Sequence, residues 1–352
     1  MNPHETFMRR CIALAEKGAL RTAPNPMVGS VILHDGKIIG SGFHRAFGEA
    51  HAEVNAVAAV RDRSLLKNST LYVNLEPCAH SGKTPPCADM IVACDIPRVV
   101  IGQEDPNPLT AGKGIDKLRK AGIDVTVGVL ESDCRHLNRR FNTYHSLKRP
   151  YILLKWAQTA DGFMDIERSA GDTGIHWISH PAVKKKVHKR RAAEGAILIG
   201  AATAANDNPS LTVRSYAGRN PHRVVISQRG LVPANAALFN DGNVTEVISR
   251  RGGPESPLLS ADGTLIWTTA SEGADLALTA VESLYKRGIL SVMVEGGRHT
   301  LQRFIDADLW DEAMVITAPG TAGSGLRAPA LNAAAAFTER YATDTVSTYF
   351  KQ

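Results

Sequence analysis

The chain has 352 residues, 43% hydrophobic and 22% charged, and its 41 basic and 35 acidic residues leave a net charge of +6. That length supports two globular cores at about 150 residues each, and the modest positive balance suits phosphorylated small molecules while falling short of a nucleic-acid footprint. The longest weakly polar stretch, residues 195–205, is too short and alanine-rich to cross a bilayer, and residues 1–10 lack a signal-peptide core, so a cytoplasmic enzyme without membrane or nucleic-acid partners is expected.

Asn2 as cap, Pro3 in the first turn and Glu5 three residues after the cap open a helix with Phe7, Cys11, Leu14 and Ala15 on one face, ended by Gly18. Residues 28–34 and 37–41 read as strands joined by Asp35-Gly36, a two-residue hairpin signal. A helix from His51, a strand at 70–74, a helix from Cys87, a strand at 98–103, a helix near 115–121 and a strand at 124–129 follow. This alternation predicts an α/β/α sandwich. Around residues 139–150 the polar run RRFNTYHSLKRP interrupts the pattern, which places a domain boundary near 147 and predicts domains at 1–146 and 147–352. The second half alternates again, with strands at 196–200, 223–227, 244–249, 265–268, 291–295 and 314–318 and helices near 183–193, 275–287 and 300–307. The basic run from Lys184 to Arg191 reads mostly as a solvated helix face, and no aromatic residues interleave with it.

HAEVNAV at 51–57 and PCAHSGKTPPC at 77–87 supply the chemistry. His51, Cys78 and Cys87 make a set of one imidazole and two thiolates, which leaves the fourth tetrahedral position of a zinc ion open to water, whereas a structural site fills it. Zinc brings the pKa of bound water to about 7, and Glu53, not itself a ligand, is placed to shuttle protons as zinc deaminases require. Residues two apart on a regular helix diverge, so His51 and Glu53 are expected at a helix entry, and Cys87 at the start of the next helix. Both positions favour thiolate over thiol. A structural zinc, with His80 as fourth ligand, is the competing reading. Cys11, Cys94 and Cys134 remain as reduced thiols, with no disulfide framework implied.

Eight residues separate Cys78 from Cys87 instead of the two of the generic deaminase signature. With APNPMVG at 23–29 and GFHRAFGEAHAE at 42–53, this segment resembles the deaminase half of the bifunctional riboflavin-biosynthesis deaminase/reductases, and the resemblance extends over nearly the whole chain. It implies that Asn25 and His44 address a pyrimidine ring and that His80 and Lys83 lie near the incoming substrate. Read alone, Asn25 between prolines is also plain turn chemistry, and His44 an ordinary surface or core histidine. In the second half, LKWAQTADG at 154–162, WIS at 177–179, ILIGAATAANDNPSLTVR at 197–214 and SVMVEGGRH at 291–299 resemble the reductase half. That likeness implies a dihydrofolate-reductase-like fold that uses NADPH. Ala157, Trp177, Thr203, Asp207 and Ser227 would be cofactor contacts, with Gly297, Arg298, His299, Thr300, Leu301, Gln302 and Arg303 beneath the phosphates. Thr173, Arg191, Leu211, Arg214 and Glu295 would address the ribose phosphate. Without the likeness, Trp177 reads equally as core, Asp207 as a turn or cap and Arg214 as surface charge, and the glycine pair at 296–297 as a tight turn.

The chain departs from that family at GDTGIH (171–176), where a Ser-Gly-Glu-Ser-type segment is usual, and at Asn208, where a second aspartate is usual. The resulting expectation is an enzyme that hydrolyses the amino group of a phosphoribosylamino-pyrimidine on zinc and then reduces ribosyl to ribityl with NADPH. A nucleic-acid base deaminase, which would flip its base, and a deaminase with a non-catalytic nucleotide-binding second domain are the alternatives. A homodimer or higher homo-oligomer is the base-rate expectation for a soluble enzyme.

Overall fold

The computed structural model describes residues 3–79, 85–169, 171–251 and 263–351, and the chain divides into two compact units, 1–148 and 149–352. His80 and Lys83, and the Asn2 cap, lie outside the described residues.

In the first unit, α1 (Pro3–Ala15) precedes β1 (Gly29–His34) and β2 (Lys37–Phe43). The two strands are antiparallel and joined by Asp35 (φ 46°) and Gly36 (φ 74°), both left-handed as a type I′ turn requires. Then come α2 (Ala52–Ala58), β3 (Thr70–Leu75), α3 (Cys87–Ala93), β4 (Arg98–Gln103), α4 (Lys113–Lys120), β5 (Asp124–Val127), α5 (Glu131–Leu137) and α6 (Arg139–Leu147). The sheet order is β2-β1-β3-β4-β5, with β3, β4 and β5 parallel. Period-two alternation sends Leu71 and Val73 to the face covered by α2, α3 and α4, and Tyr72 to the face covered by α1 and α5. This is the three-layer sandwich expected from the alternation. α2 lies close on β2 because Gly42 has no side chain: a Cβ there would sit 2.6 Å from the Ala52 carbonyl oxygen. The polar run at 139–150 used to place the boundary carries a further helix, α6, none of whose residues is fully buried.

The second unit contains β6 (Tyr151–Gln158), β7 (Phe163–Asp165), α7 (Val183–Ala193), β8 (Ala196–Gly200), α8 (Ala201–Asp207), β9 (His222–Ser227), β10 (Thr245–Ser249) and β11 (Leu265–Thr269). After these come α9 (Leu276–Lys286), β12 (Ser291–Val294), α10 (Arg298–Asp306), β13 (Glu312–Thr317), β14 (Leu326–Arg327), β15 (Phe337–Tyr341) and β16 (Asp344–Phe350). Its main sheet runs β11-β10-β9-β8-β12-β6-β13-β16-β15, parallel from β11 through β13 and antiparallel at the β16 and β15 edge. Parallel strands are buried on both faces and read as continuous apolar runs. Ile152 and Leu154 therefore pack into one core and Leu153 into the other, as Val292 and Val294 do opposite Met293. The β15–β16 hairpin was not foreseen; every residue of Phe337–Tyr341 is exposed or half-buried, so no apolar alternation announces it.

Candidate active sites

His51 caps α2 in an extended conformation (φ −69°, ψ 165°), which turns its side chain away from the helix while Glu53 enters the first turn. Cys87 begins α3. The two helix entries and the end of the β3 segment bring His51, Cys78 and Cys87 together, with all three donor atoms within 4.8 Å of one another. His51 Nδ1 lies 3.6 Å from Cys78 Sγ and 3.4 Å from Cys87 Sγ. Tetrahedral zinc, with Zn–N of about 2.0 Å and Zn–S of about 2.3 Å, separates such donors by about 3.6 Å. The set therefore fits zinc without rearrangement. Among the described residues no fourth His, Cys, Asp or Glu joins the group, and His80, the fourth ligand of the competing structural reading, lies outside them.

Electrostatics around the triad favour thiolate at Cys78. The Cys87 thiol, His51 and the Cys87 backbone N–H all donate toward its sulfur, the last at 3.3 Å, and hold its pKa down at about 4. Sharing that proton, and burial, push Cys87 up. Glu53 is 3% exposed. Burial, then the adjacent Cys78 charge, raise its carboxyl to about 7, the range in which a group both takes and gives a proton at neutral pH.

Asn25 and His44 sit beside this centre. The Ala50 carbonyl only accepts, so His44 Nδ1 carries the proton and donates across 3.2 Å, leaving Nε2 to accept from Asn25 Nδ2 at 3.1 Å. Burial lowers the His44 pKa and keeps it neutral. The His44 ring meets that of His51 edge-on at 5.5 Å, and Asn25 Oδ1 is left to address a ligand. The loop bearing Asn25 is held by Asn138, which accepts from Met27 N–H at 2.9 Å and donates to Met27 O at 2.9 Å, and by Asn74, which donates to the same oxygen at 3.1 Å.

Glu76 has a role that the motif order alone did not reveal. Its buried carboxylate accepts four backbone N–H groups, from Asp105 (3.0 Å), Gly112 (3.0 Å), Gly114 (2.8 Å) and Ile115 (3.2 Å). It satisfies the orphan donors at the start of α4 and anchors the segment that presents Cys78 two residues later. The carboxylate immediately before Pro77-Cys78 was the available signal.

In the second unit a cleft of about 990 Å3 opens at the C-terminal ends of β8 and β9 and is lined by Ser227, Arg298, His299, Thr300, Gln302 and Arg303, among others. A narrower cleft of about 190 Å3, lined by Thr203, Asp207, Glu295 and Gly297, shares Gly200, Ala202 and the first turn of α10 with it. Gly297 N–H donates to Thr203 Oγ1 at 2.9 Å, tying α8 to the start of α10. The N-terminus of α10 presents further backbone N–H groups, a ready anion seat, and Arg298 Nε is buried there without a hydrogen-bond partner. Both features fit a dinucleotide. Leu301 is a correction: its side chain is fully buried in the core, so only its backbone could face a phosphate. Ala157 packs half-buried against the core, and Trp177 is 54% exposed beneath Lys184 Nζ at 3.7 Å; neither lines the two clefts.

Arg191 and Glu295 form a buried ion pair at 2.9 Å, and Arg191 also donates to Thr212 O at 2.7 Å. Leu211 is buried beside them, Arg214 donates from its backbone to His188 Nδ1 at 3.3 Å, and burial followed by the charges of Arg191 and Arg214 drives His188 down to about 4. The Arg191 charge helps hold Glu295 ionised against its burial. Thr173 is exposed and lines neither cleft. Arg168, unforeseen, bridges Asp165 at 2.7 Å and Asp207 at 3.2 Å and donates to Gly174 O at 2.9 Å, so it pins the divergent 171–176 segment over the narrow cleft. Asn208 takes a left-handed conformation (φ 39°) that asparagine tolerates, and its Oδ1 accepts from Ala237 N–H at 2.7 Å. It lines neither cleft, although its neighbour Asp207 lines the narrow one.

A zinc-ligand triad with a buried carboxylate on a cytidine-deaminase-like sandwich, followed by a parallel-sheet domain with a dinucleotide-sized cleft, defines a bifunctional deaminase and reductase. The cytidine and deoxycytidylate deaminase zinc-binding region matches residues 1–103 and the RibD C-terminal domain matches residues 150–342. Riboflavin biosynthesis protein RibD of Aquifex aeolicus is 40% identical over 92% of this chain and 88% of its own length, and that of Escherichia coli 37% identical over 92% and 89%. Among solved structures, Acinetobacter baumannii RibD superposes with a TM-score of 0.88 at 32% identity, covering 99% of both chains. A Thermotoga maritima diaminohydroxyphosphoribosylaminopyrimidine deaminase/5-amino-6-(5-phosphoribosylamino)uracil reductase does so with a TM-score of 0.87 at 35% identity, also covering 99% of both. The chain belongs to the RibD family of bifunctional deaminase/reductases of riboflavin biosynthesis. Among the described residues no helix is long and apolar enough to cross a membrane.

Proposed function

We propose that the first unit hydrolyses the exocyclic amino group of 2,5-diamino-6-ribosylamino-4(3H)-pyrimidinone 5′-phosphate and that the second reduces the ribosyl chain of the product to ribityl. The observation that carries the first half is the 3.4–3.6 Å spacing of His51 Nδ1 from the two sulfurs with Glu53 buried alongside. Zinc held by His51, Cys78 and Cys87 would supply the Lewis acidity that makes water nucleophilic near neutral pH. Glu53 accepts the water proton, passes it to the ring nitrogen and returns a proton to the departing ammonia, so that water and amine become oxo group and ammonia. Asn25, positioned by the neutral His44, addresses the ring beside that centre. A nucleic-acid substrate is not supported, because the net charge is only +6.

In the second unit NADPH would supply the hydride. The start of α10 cradles its phosphates, Thr203 and Asp207 flank the nicotinamide end in the narrow cleft, and the Arg191–Glu295 pair with Arg214 receives the ribose phosphate. Charged phosphorylated intermediates do not leak across membranes, which supports a cytoplasmic setting. The test is ammonia release and NADPH absorbance with zinc-loaded protein. Both are expected with the diamino substrate, and NADPH oxidation alone with the deaminated one. Ammonia release with NADPH left untouched on deaminated substrate would leave the second unit a binding module.

A further inference from the structure

We propose that Arg168 is a positioning residue of the reductase, clasping residues 171–176 to the end of α8 so that they wall the narrow cleft where hydride transfer takes place; this rests on the reductase reading above. Every residue from Gly171 to Trp177 is exposed, so burial of apolar side chains does not hold this stretch in place. Polar bonds do, and they converge on the last two residues of α8. Arg168 spans Asp165 at 2.7 Å and Asp207 at 3.2 Å with one guanidinium and donates to Gly174 O at 2.9 Å. Gly174 N–H in turn donates to Asn206 O at 2.6 Å. Gly174 serves both sides of this clasp at φ 108°, a conformation open to glycine.

Both ends of the clasp are anchored. Asp165 is the last residue of β7, which pairs with β14, and the two chains run so close there that a Cβ on Gly325 would stand 2.4 Å from the Asp165 carbonyl oxygen. Asp207 is the last residue of α8, whose Thr203 accepts from Gly297 N–H at the start of α10. Arg168 thus joins β7 to the end of α8, and Asp165, Arg168, His176, Asp207 and Gly297 all line the narrow cleft. Charge gives the guanidinium a second task. A carboxylate at a helix C-terminus meets the negative end of the dipole. Burial raises the pKa of Asp207, the Arg168 charge pulls it back, and Asp165 adds to the rise. The other titratable groups facing the cleft are His176, Glu295, Arg298 and His299. Without Arg168, Asp165 and Asp207 would be two carboxylates sharing a site, which favours a proton on one of them, and Gly174 O would lose its donor. A planar guanidinium fork serves three acceptors in fixed directions, which the ammonium of lysine does not.

The experiment compares the full chain with R168Q and R168K by amide hydrogen exchange without cofactor, and by the kcat and pH profile of NADPH oxidation on deaminated substrate. R168Q is expected to speed exchange at Gly174 on the order of tenfold or more, the loss of a charge-assisted bond. Exchange in β8 and β12 should stay as in wild type, which certifies the fold. At saturating NADPH its kcat should fall by about ten- to a hundredfold, since misplacement by about 1 Å costs up to about that much. The acid limb of its profile should move to higher pH, because Asp207 loses its counter-charge. R168K keeps the charge without the fork, so its kcat should fall with the limb unmoved. Wild-type exchange in R168Q overturns the proposal, and so does faster exchange with kcat and acid limb unchanged. Should R168Q fail to fold, R168K decides, and a wild-type kcat in it overturns the proposal while leaving the reductase reading intact. Absence of NADPH oxidation by the wild type overturns both.

Discussion

Replacing Glu53 by glutamine isolates the proton shuttle from everything else in the first unit. The side chain is 3% exposed, and burial followed by the Cys78 charge raises its carboxyl to about 7, so its uncharged form is accessible near neutral pH. Glutamine matches that form in size and polarity, opens no cavity, and leaves His51, Cys78 and Cys87 as they are. What it removes is the ability to take a proton from water and return one to ammonia. General acid–base catalysis contributes about 10²- to 10⁴-fold, equivalent to roughly 3–5 kcal/mol of barrier. E53Q is therefore expected to lower the deamination rate by at least about 100-fold, measured as ammonia release, with zinc content near one per chain and the thermal midpoint unchanged. NADPH oxidation on deaminated substrate should proceed as in wild type. A rate within a few-fold of wild type would refute the assignment of Glu53, and loss of zinc would show instead that its carboxylate holds the metal.

Arg191→Ala leaves Glu295 buried and unpaired, which costs about 3–5 kcal/mol; the lowered thermal midpoint should recover in R191M/E295Q while reductase activity does not, and an equally unstable double variant would contradict this. His188, held down at about 4, is neutral in the folded chain when the unfolded chain, titrating at its ordinary value near 6.5, is already protonated. The unfolded state then binds more protons, so stability rises with pH between about 4 and 6.5; H188Q should flatten that rise in thermal melts, and an unaltered slope would rule His188 out as its source. Glu76→Gln turns one acceptor oxygen into an amide facing backbone N–H donors, a penalty of about 1–3 kcal/mol. Faster zinc transfer to a chelator is expected alongside the lower midpoint, and destabilisation with unchanged transfer would confine Glu76 to supporting α4.

Much of the fold and of the zinc centre was legible in the residues because the signals are short-range. Asp35-Gly36 dictates its hairpin through the φ values that two residues alone must adopt. The apolar runs at 196–200 and 291–294 are strands because both faces of a parallel sheet are buried. The two-residue step from His51 to Glu53, and the Pro before Cys87, announce helix entries whose geometry separates ligand from shuttle. Other features depended on residues far apart in the chain meeting in space. Glu76 gathers N–H groups 29 to 39 residues away, and Arg168 reaches Asp207. Leu301 could be placed in a phosphate-binding run by sequence but was turned into the core by the helical period, and Asn208 was drawn to Ala237. Local propensity and ligand spacing are properties of neighbouring residues and can be read in one dimension; which charges are paired, and which remain for a ligand, is decided only when distant segments are packed together.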